Sequence, residues 1–197
     1  MSEMYRHNQR KRDLLKTSTI AFSAALMFTL GAPPLASAQS ANLTLFFNQA
    51  NQMNNEEQDM AKELKSKAGD NQALVTMADT MRDDHKDDQT ALEALASQKN
   101  VTLKSYEKNK AAEDQLDNLK GAQFNEAFLK MDIRDHEKAL ATFRRAKREL
   151  SSDPEVRVYV DQTIPVLEAH LKMAQNLHRA DKILGSRENP ANNKKAD

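Results

Sequence analysis

Seven side chains in this sequence combine the donor types of a metal or acid–base site with spacings that could bring them together: Glu57, Asp84, His85, Asp132, Asp135, His136 and His170. Imidazole nitrogens and carboxylate oxygens bind iron, manganese, zinc and copper, and the same groups move protons near neutral pH. Five His occur in the chain, and of the four beyond His7 only His178 stands apart from this group. The members fall where apolar residues are due. Met53 and Met60 flank Glu57, Met81 and Leu92 flank His85 with Asp88 one turn further on, Phe128 and Ala139 flank Asp132, Asp135 and His136, and Leu167 and Leu171 flank His170. Residues three and four apart share one face of a helix, so each of these polar groups interrupts an apolar stripe. A carboxylate carried into a helical core is costly unless it is paired, hydrogen-bonded or bound to a cation.

Three chemistries fit that pattern. One is a buried polar network that fixes helix register. Another is a single transition-metal ion (iron, manganese, zinc or copper) held by Glu57, His85, His136 and His170, with Asp84, Asp132 and Asp135 as further ligands or as partners that orient the imidazoles. The third is an acid–base site without metal. No nucleophile is paired with its base, and the absence of Cys removes thiolate chemistry and every Cys-based cofactor site. The nine Met, Met77 and Met131 among them, could offer soft sulfur ligands, although such stripes more often fill a core.

The elements that must position these groups are four amphipathic helices. Leu43, Phe46, Ala50, Met53, Met60, Ala61, Leu64 and Ala68 mark helix A over 42–68. Gly69-Asp70 supplies a C-terminal glycine and a new N-cap, and Leu74, Ala78, Met81, Leu92 and Leu95 carry helix B to about Ser97. A polar connector follows over 98–120, with room for a short helix around 111–119, and then helix C runs on Phe124, Phe128, Met131, Ala139, Phe143 and Ala146. Ser152-Asp153-Pro154-Glu155 starts helix D, which Pro165 should bend and which ends near Leu184. The polar tail over 185–197 is expected to be disordered. Four such helices bury their stripes most economically as an antiparallel four-helix bundle with a longer connector between B and C. Glu57 lies 12 residues before Gly69 and His85 lies 15 after Asp70, a mismatch of about 4.5 Å at helical rise. His136 and His170 lie 16 before and 18 after Ser152, a mismatch of about 3 Å, so both hairpins bring their polar residues to mid-height.

Composition agrees with long helices: 197 residues with Gly 4 and Pro 5 leave few turn formers for a many-stranded sheet. The first 38 residues read as a secretory signal peptide. Arg6, Arg10, Lys11, Arg12 and Lys16 precede an apolar run over 19–30, and Ala36-Ser37-Ala38 supplies the small-residue cleavage signal. That apolar run is about half of the roughly 20 residues a spanning helix needs. Removing the leader takes five basic and two acidic residues from a balance of 29 and 29, leaving 24 against 27 and a net charge of −3. A mildly acidic chain without a basic stripe does not suit nucleic acid. The expected product is an exported protein, periplasmic or associated with the outer membrane, with no membrane-spanning segment after cleavage near Ala38 and with an envelope protein as its conceivable partner.

The segments that carry the cluster resemble a known family. The run Phe46 to Ala68 with Glu57, then Met81-Arg82-Asp83-Asp84-His85, then Phe124 through Asp135-His136-Glu137-Lys138-Ala139, then Leu167-Glu168-Ala169-His170-Leu171 is similar to the exported bacterial family called domain of unknown function 4142. The Asp-His pair, used at Asp84-His85 and Asp135-His136, is its most specific element. The resemblance implies a ferritin-like four-helix bundle and export, often under the label of an outer membrane protein, and no established activity. Ferritin-like di-iron proteins carry Glu-x-x-His on two helices. Here Arg82 stands three before His85 and Leu167 three before His170. That departure counts against oxygen-activating di-iron chemistry and points instead to one His-rich, partly carboxylate-ligated ion.

Overall fold

The computed structural model describes residues 34–188, with side-chain surroundings over 39–182, so the leader and the end of the tail lie largely outside it. Among the described residues every regular element is a helix: α1 (Pro34–Lys67), α2 (Gln72–Gln98), α3 (Lys110–Leu116), α4 (Gly121–Glu149) and α5 (Pro154–Glu188). The four long helices are those that the apolar periodicity predicts, and α3 is the short helix of the connector. Two boundaries differ. Helix α1 begins at Pro34 rather than at Asn42; the stretch over 39–42 is exposed, and its spacing leaves no apolar signature. Among its side chains described from Gln39 on, Phe46 is the first that is buried. Helix α5 is drawn to Glu188, past Leu184.

Local chemistry sets the turns. Gly69 takes φ +56° at the end of α1, a left-handed conformation that costs other residues about 1–2 kcal/mol. The cap of α2 is Asn71 and not Asp70: the Asn71 side-chain oxygen accepts from the backbone N–H of Ala73 at 3.2 Å and of Leu74 at 3.3 Å. Asp153 accepts from Val156 N at 3.2 Å at the start of α5, and Lys99 ties that cap to the far end of α2 through Asp153 at 2.7 Å and Glu155 at 3.0 Å.

Helix α1 packs against α2 and α4, and α5 packs against α4 and α2, so each long helix has two long-helix neighbours. One apolar cluster joins the first half of α1, the end of α2, the end of α4 and the start of α5 around Phe47, Leu92, Phe143 and Val160. The other joins the complementary ends around Leu64, Met77, Phe124 and Ala174. All four packed pairs are therefore antiparallel. The connector makes this possible by running back parallel to α1. Asn48 and Asn51 bond the backbone of Lys104, Gln52 bonds that of Glu107, and Lys67 reaches the carbonyl of Leu116. Its path, which periodicity leaves open, is thus a crossover along the whole bundle.

Asn71→Ala should cost about 1 kcal/mol of unfolding free energy by removing the α2 cap. Asp70→Ala, at an exposed position, should stay within about 0.5 kcal/mol of the parent. Urea denaturation of the two variants separates the two cap assignments.

Candidate metal centre

Between the two apolar clusters lies a buried polar layer to which every long helix contributes. Helix α1 supplies Asn51, Asn54 and Glu57, α2 supplies His85, Asp88 and Gln89, α4 supplies Asp132 and His136, and α5 supplies Thr163 and His170. Their three- and four-residue spacings continue the apolar stripes, so the same packing that buries Phe and Leu above and below buries these groups too.

The three imidazole rings converge in one place, tilted or edge-on to one another. Their centroids are 5.1–5.7 Å apart, and each residue is 1% exposed. Every ring has one nitrogen held from outside the cluster. His85 Nδ1 donates to the side-chain oxygen of Asn54 at 3.2 Å, His136 Nδ1 to the backbone carbonyl of Asp132 at 3.0 Å, and His170 Nε2 to the Asp84 carboxylate at 3.1 Å. A carbonyl and a carboxylate can only accept, so these contacts fix the tautomers of the neutral rings. The remaining nitrogens carry lone pairs. His136 Nε2 and His170 Nδ1 face each other at 3.3 Å, and His85 Nε2 is buried with no hydrogen-bond partner. Two lone pairs at that distance need a proton or a cation between them. Burial, reinforced by His170 and His136 beside it, pushes His85 well below the ordinary imidazole value and keeps its ring neutral. One ligand atom from each of the three rings lies within 4.8 Å of the others.

A carboxylate pair borders the rings. Glu57 Oε1 and Asp132 Oδ2 stand 3.9 Å and 3.5 Å from His136 Nδ1. Burial raises Glu57 well above the usual carboxylate range, with Asp132, Asp135 and Glu56 adding to the rise. Asp132 is pushed up to about 6, again mainly by burial, with the neighbouring His136 ring opposing the rise and Asp135 adding to it.

The structure brings together Glu57, His85, Asp132, His136 and His170, and it places Asp84 behind His170 as the group that orients the ring. Asp135 stands apart. It is half-buried and ion-paired with Lys138 at 2.9 Å and Arg134 at 3.3 Å. Asp135 precedes His136 by one residue and so points about 100° away around the helix, whereas Asp132, four residues before, shares the His136 face. Asn54 is the functional neighbour that residue types alone did not suggest, since a helical Asn is usually a surface residue. Its signal was position: it lies four after Ala50 and three before Glu57, on the stripe that is actually buried, while Met53 and Met60 lie at its edge. Asn51 and Gln89 extend the layer by a bond of 2.8 Å.

The fold and this layer define a class: an all-helical bundle with a histidine and carboxylate stratum at mid-height. The model of the family described as Domain of unknown function (DUF4142) matches residues 31–177, and the chain belongs to that family. A search of curated proteins and a search of solved structures each returned no match.

The titrating groups of the layer oppose one another. Glu57 and Asp132 hold protons more tightly folded than unfolded, so their contribution to stability is present below the ordinary value of 3.8 for Asp and is lost as pH rises through about 6 for Asp132. His85 acts in reverse: its contribution is complete above 6.5 and is lost as pH falls. In chelator, Asp132→Asn should match its parent at pH 4 and exceed it by about 1–3 kcal/mol at pH 7, because each tenfold change in proton affinity is worth about 1.4 kcal/mol. Urea melts at the two pH values check the sign and the size.

Proposed function

We propose that this protein is exported to the cell envelope and holds a divalent transition-metal ion, among iron, manganese, zinc and copper, on His85, His136 and His170. The observation that carries the reading is the unpartnered His85 Nε2 beside the facing nitrogens of His136 and His170. A single proton would join the latter two and leave His85 Nε2 orphaned in a dry core. A cation would use all three lone pairs. With metal–nitrogen bonds of 2.0–2.1 Å, adjacent corners of a tetrahedron lie about 3.3–3.4 Å apart, close to the 3.3 Å between His136 and His170. The outward bonds to Asn54, the Asp132 carbonyl and Asp84 are of the kind that fix ring orientation behind a metal. Ligation by neutral imidazole suits zinc, copper and iron in particular.

Antiparallel neighbours with one long crossover match the connectivity of ferritin-like bundles. The ligands do not match the di-iron pattern, since Arg82 and Leu167 occupy the positions where its Glu-x-x-His glutamates would stand. The function supported best is therefore metal binding or buffering rather than oxygen chemistry. A second reading, a structural or interaction protein in which the layer only fixes register, draws on the Asn51–Gln89 bond and the raised carboxyls, which need no metal.

Purified without chelator, the protein should carry stoichiometric divalent metal, and a His85→Ala, His170→Ala variant should carry at least one equivalent less. Metal at a hundred times its Kd should add about 2.7 kcal/mol to the stability of the parent, reversed by chelator. A parent free of metal, whose melting ignores zinc, copper, iron and manganese and responds to pH alone, would leave the layer as a polar network.

Export rests on the leader. Cleavage after Ala38 would remove only the first residues of α1 and would leave Phe46, Phe47 and Ala50, which pack in the core, in the mature chain. No helix among the described residues is long and apolar enough to cross a membrane. The N-terminus of the protein recovered from the envelope fraction should read Gln39-Ser40-Ala41. An intact Met1 there would sink the export reading.

A further inference from the structure

The His136 ring looks in two directions. Its Nε2 faces His170 at 3.3 Å, while its Nδ1 faces the carboxylates of Asp132 at 3.5 Å and Glu57 at 3.9 Å. One oxygen from each carboxylate and one nitrogen of His136 lie within 4.8 Å of one another, a convergence separate from that of the three rings. Asp132 is 2% exposed, and neither of its carboxylate oxygens has a hydrogen-bond partner. Among the described residues no Lys or Arg pairs with Asp132 or Glu57, and their one ion-pair neighbour is His136. Two carboxyl groups drawn together in a dry core without a cationic side chain lack a counter-charge. Carboxyls are held in such a setting by protons or by a metal ion.

We propose that Glu57, Asp132 and Nδ1 of His136 form a second divalent-cation site, so that the bundle holds two cations on the two nitrogens of one ring. This rests on the trihistidine reading for its shared ligand. The separations of 3.5 Å and 3.9 Å suit neighbouring ligands around one ion, given bonds near 2.0–2.2 Å to nitrogen and carboxylate oxygen. Ligation at Nδ1 displaces the proton that this nitrogen now donates to the Asp132 carbonyl, and that proton leaves to solvent with any held by the carboxyls. The carbonyl keeps its helical partner, the amide of His136 four residues on. The two sites differ in donor set. Three imidazoles make one nitrogen site, whereas two carboxylates and one imidazole make a harder site that suits manganese, iron or zinc.

Equilibrium dialysis of the metal-stripped protein against Zn2+, read by elemental analysis, tests the count. The proposal expects two Zn2+ per chain in the parent and one in a Glu57→Gln, Asp132→Asn variant, whose amides keep the shape of the carboxyls but do not supply their charge. Circular dichroism and a melt establish that the variant is folded. Should it fail to fold, Glu57→Gln alone takes its place with the same expected loss of one. Any other pair of counts overturns the second site. One Zn2+ in the parent does so while leaving the trihistidine site intact, and none in the parent removes both readings. Two in both proteins shows that the second ion sits elsewhere.

Discussion

The structure turns on a stratum of polar side chains that the bundle buries at its own middle. Burial of imidazole and carboxyl groups without full hydrogen bonding opposes folding, and the layer includes His85 Nε2 and both oxygens of Asp132 without partners. The opposing contribution comes from the apolar clusters on either side, with Phe47, Phe124, Phe128 and Phe143 almost fully enclosed. Each large side chain buried in this way is worth about 1.5–3 kcal/mol. The layer can therefore be tolerated only because it is thin and flanked by packing that is nearly all hydrocarbon. Its groups are the ones whose chemistry depends most on being dry: the His85 imidazole kept neutral, and the Glu57 and Asp132 carboxyls kept from ionising at their ordinary pH.

Orientation is supplied from outside the ring cluster. Asn54 from α1, the Asp132 carbonyl from α4 and Asp84 from α2 each take one ring N–H, so the three remaining nitrogens have nowhere to turn except toward one another. The same layer also couples to the crossover. Asn51 accepts from Gln89 on α2 and donates to the carbonyl of Lys104 in the connector, so one residue links two helices and the returning chain at the level just beside Asn54. A slip of α1 by one turn would break both bonds at once and would carry Asn54 away from His85. Register and ring geometry are thus set by one group of contacts.

Much of this arrangement was legible in the sequence for a geometric reason. Each hairpin folds at a turn marked by Gly69 or by Asp153-Pro154, and residues equidistant from a turn meet, so Glu57, His85, His136 and His170 could be placed at mid-height from numbering alone. His136 does meet His170, whereas His85 meets Asn54, and Glu57 stands beside His136. What stayed hidden has equally physical causes. Asp132 and Asp135 both fit a broad apolar stripe, and only packing decides that Asp132 turns inward while Asp135 finds Lys138 and Arg134 at the surface. Asn54 has no distinctive residue chemistry and declares itself only through the phase of the stripe. The connector is fixed by side-chain bonds to its backbone atoms, which any sequence presents, so its path leaves no pattern.

The topology explains why that partial view was enough for the site. A connector running back along the bundle starts the second hairpin at the end where the first one turned, which makes α1 antiparallel to α4 and α2 antiparallel to α5. In that arrangement the helix middles coincide for every packed pair. Ends exchange partners under alternative connector paths, but middles do not. A polar cluster at mid-height is therefore the one kind of site whose assembly depends on helix lengths and turn positions, which the sequence encodes locally, and not on the long-range path of the chain. Residues near the bundle ends lack that protection: the contact of Lys99 with Asp153 and Glu155 exists only because the crossover puts the end of α2 beside the start of α5.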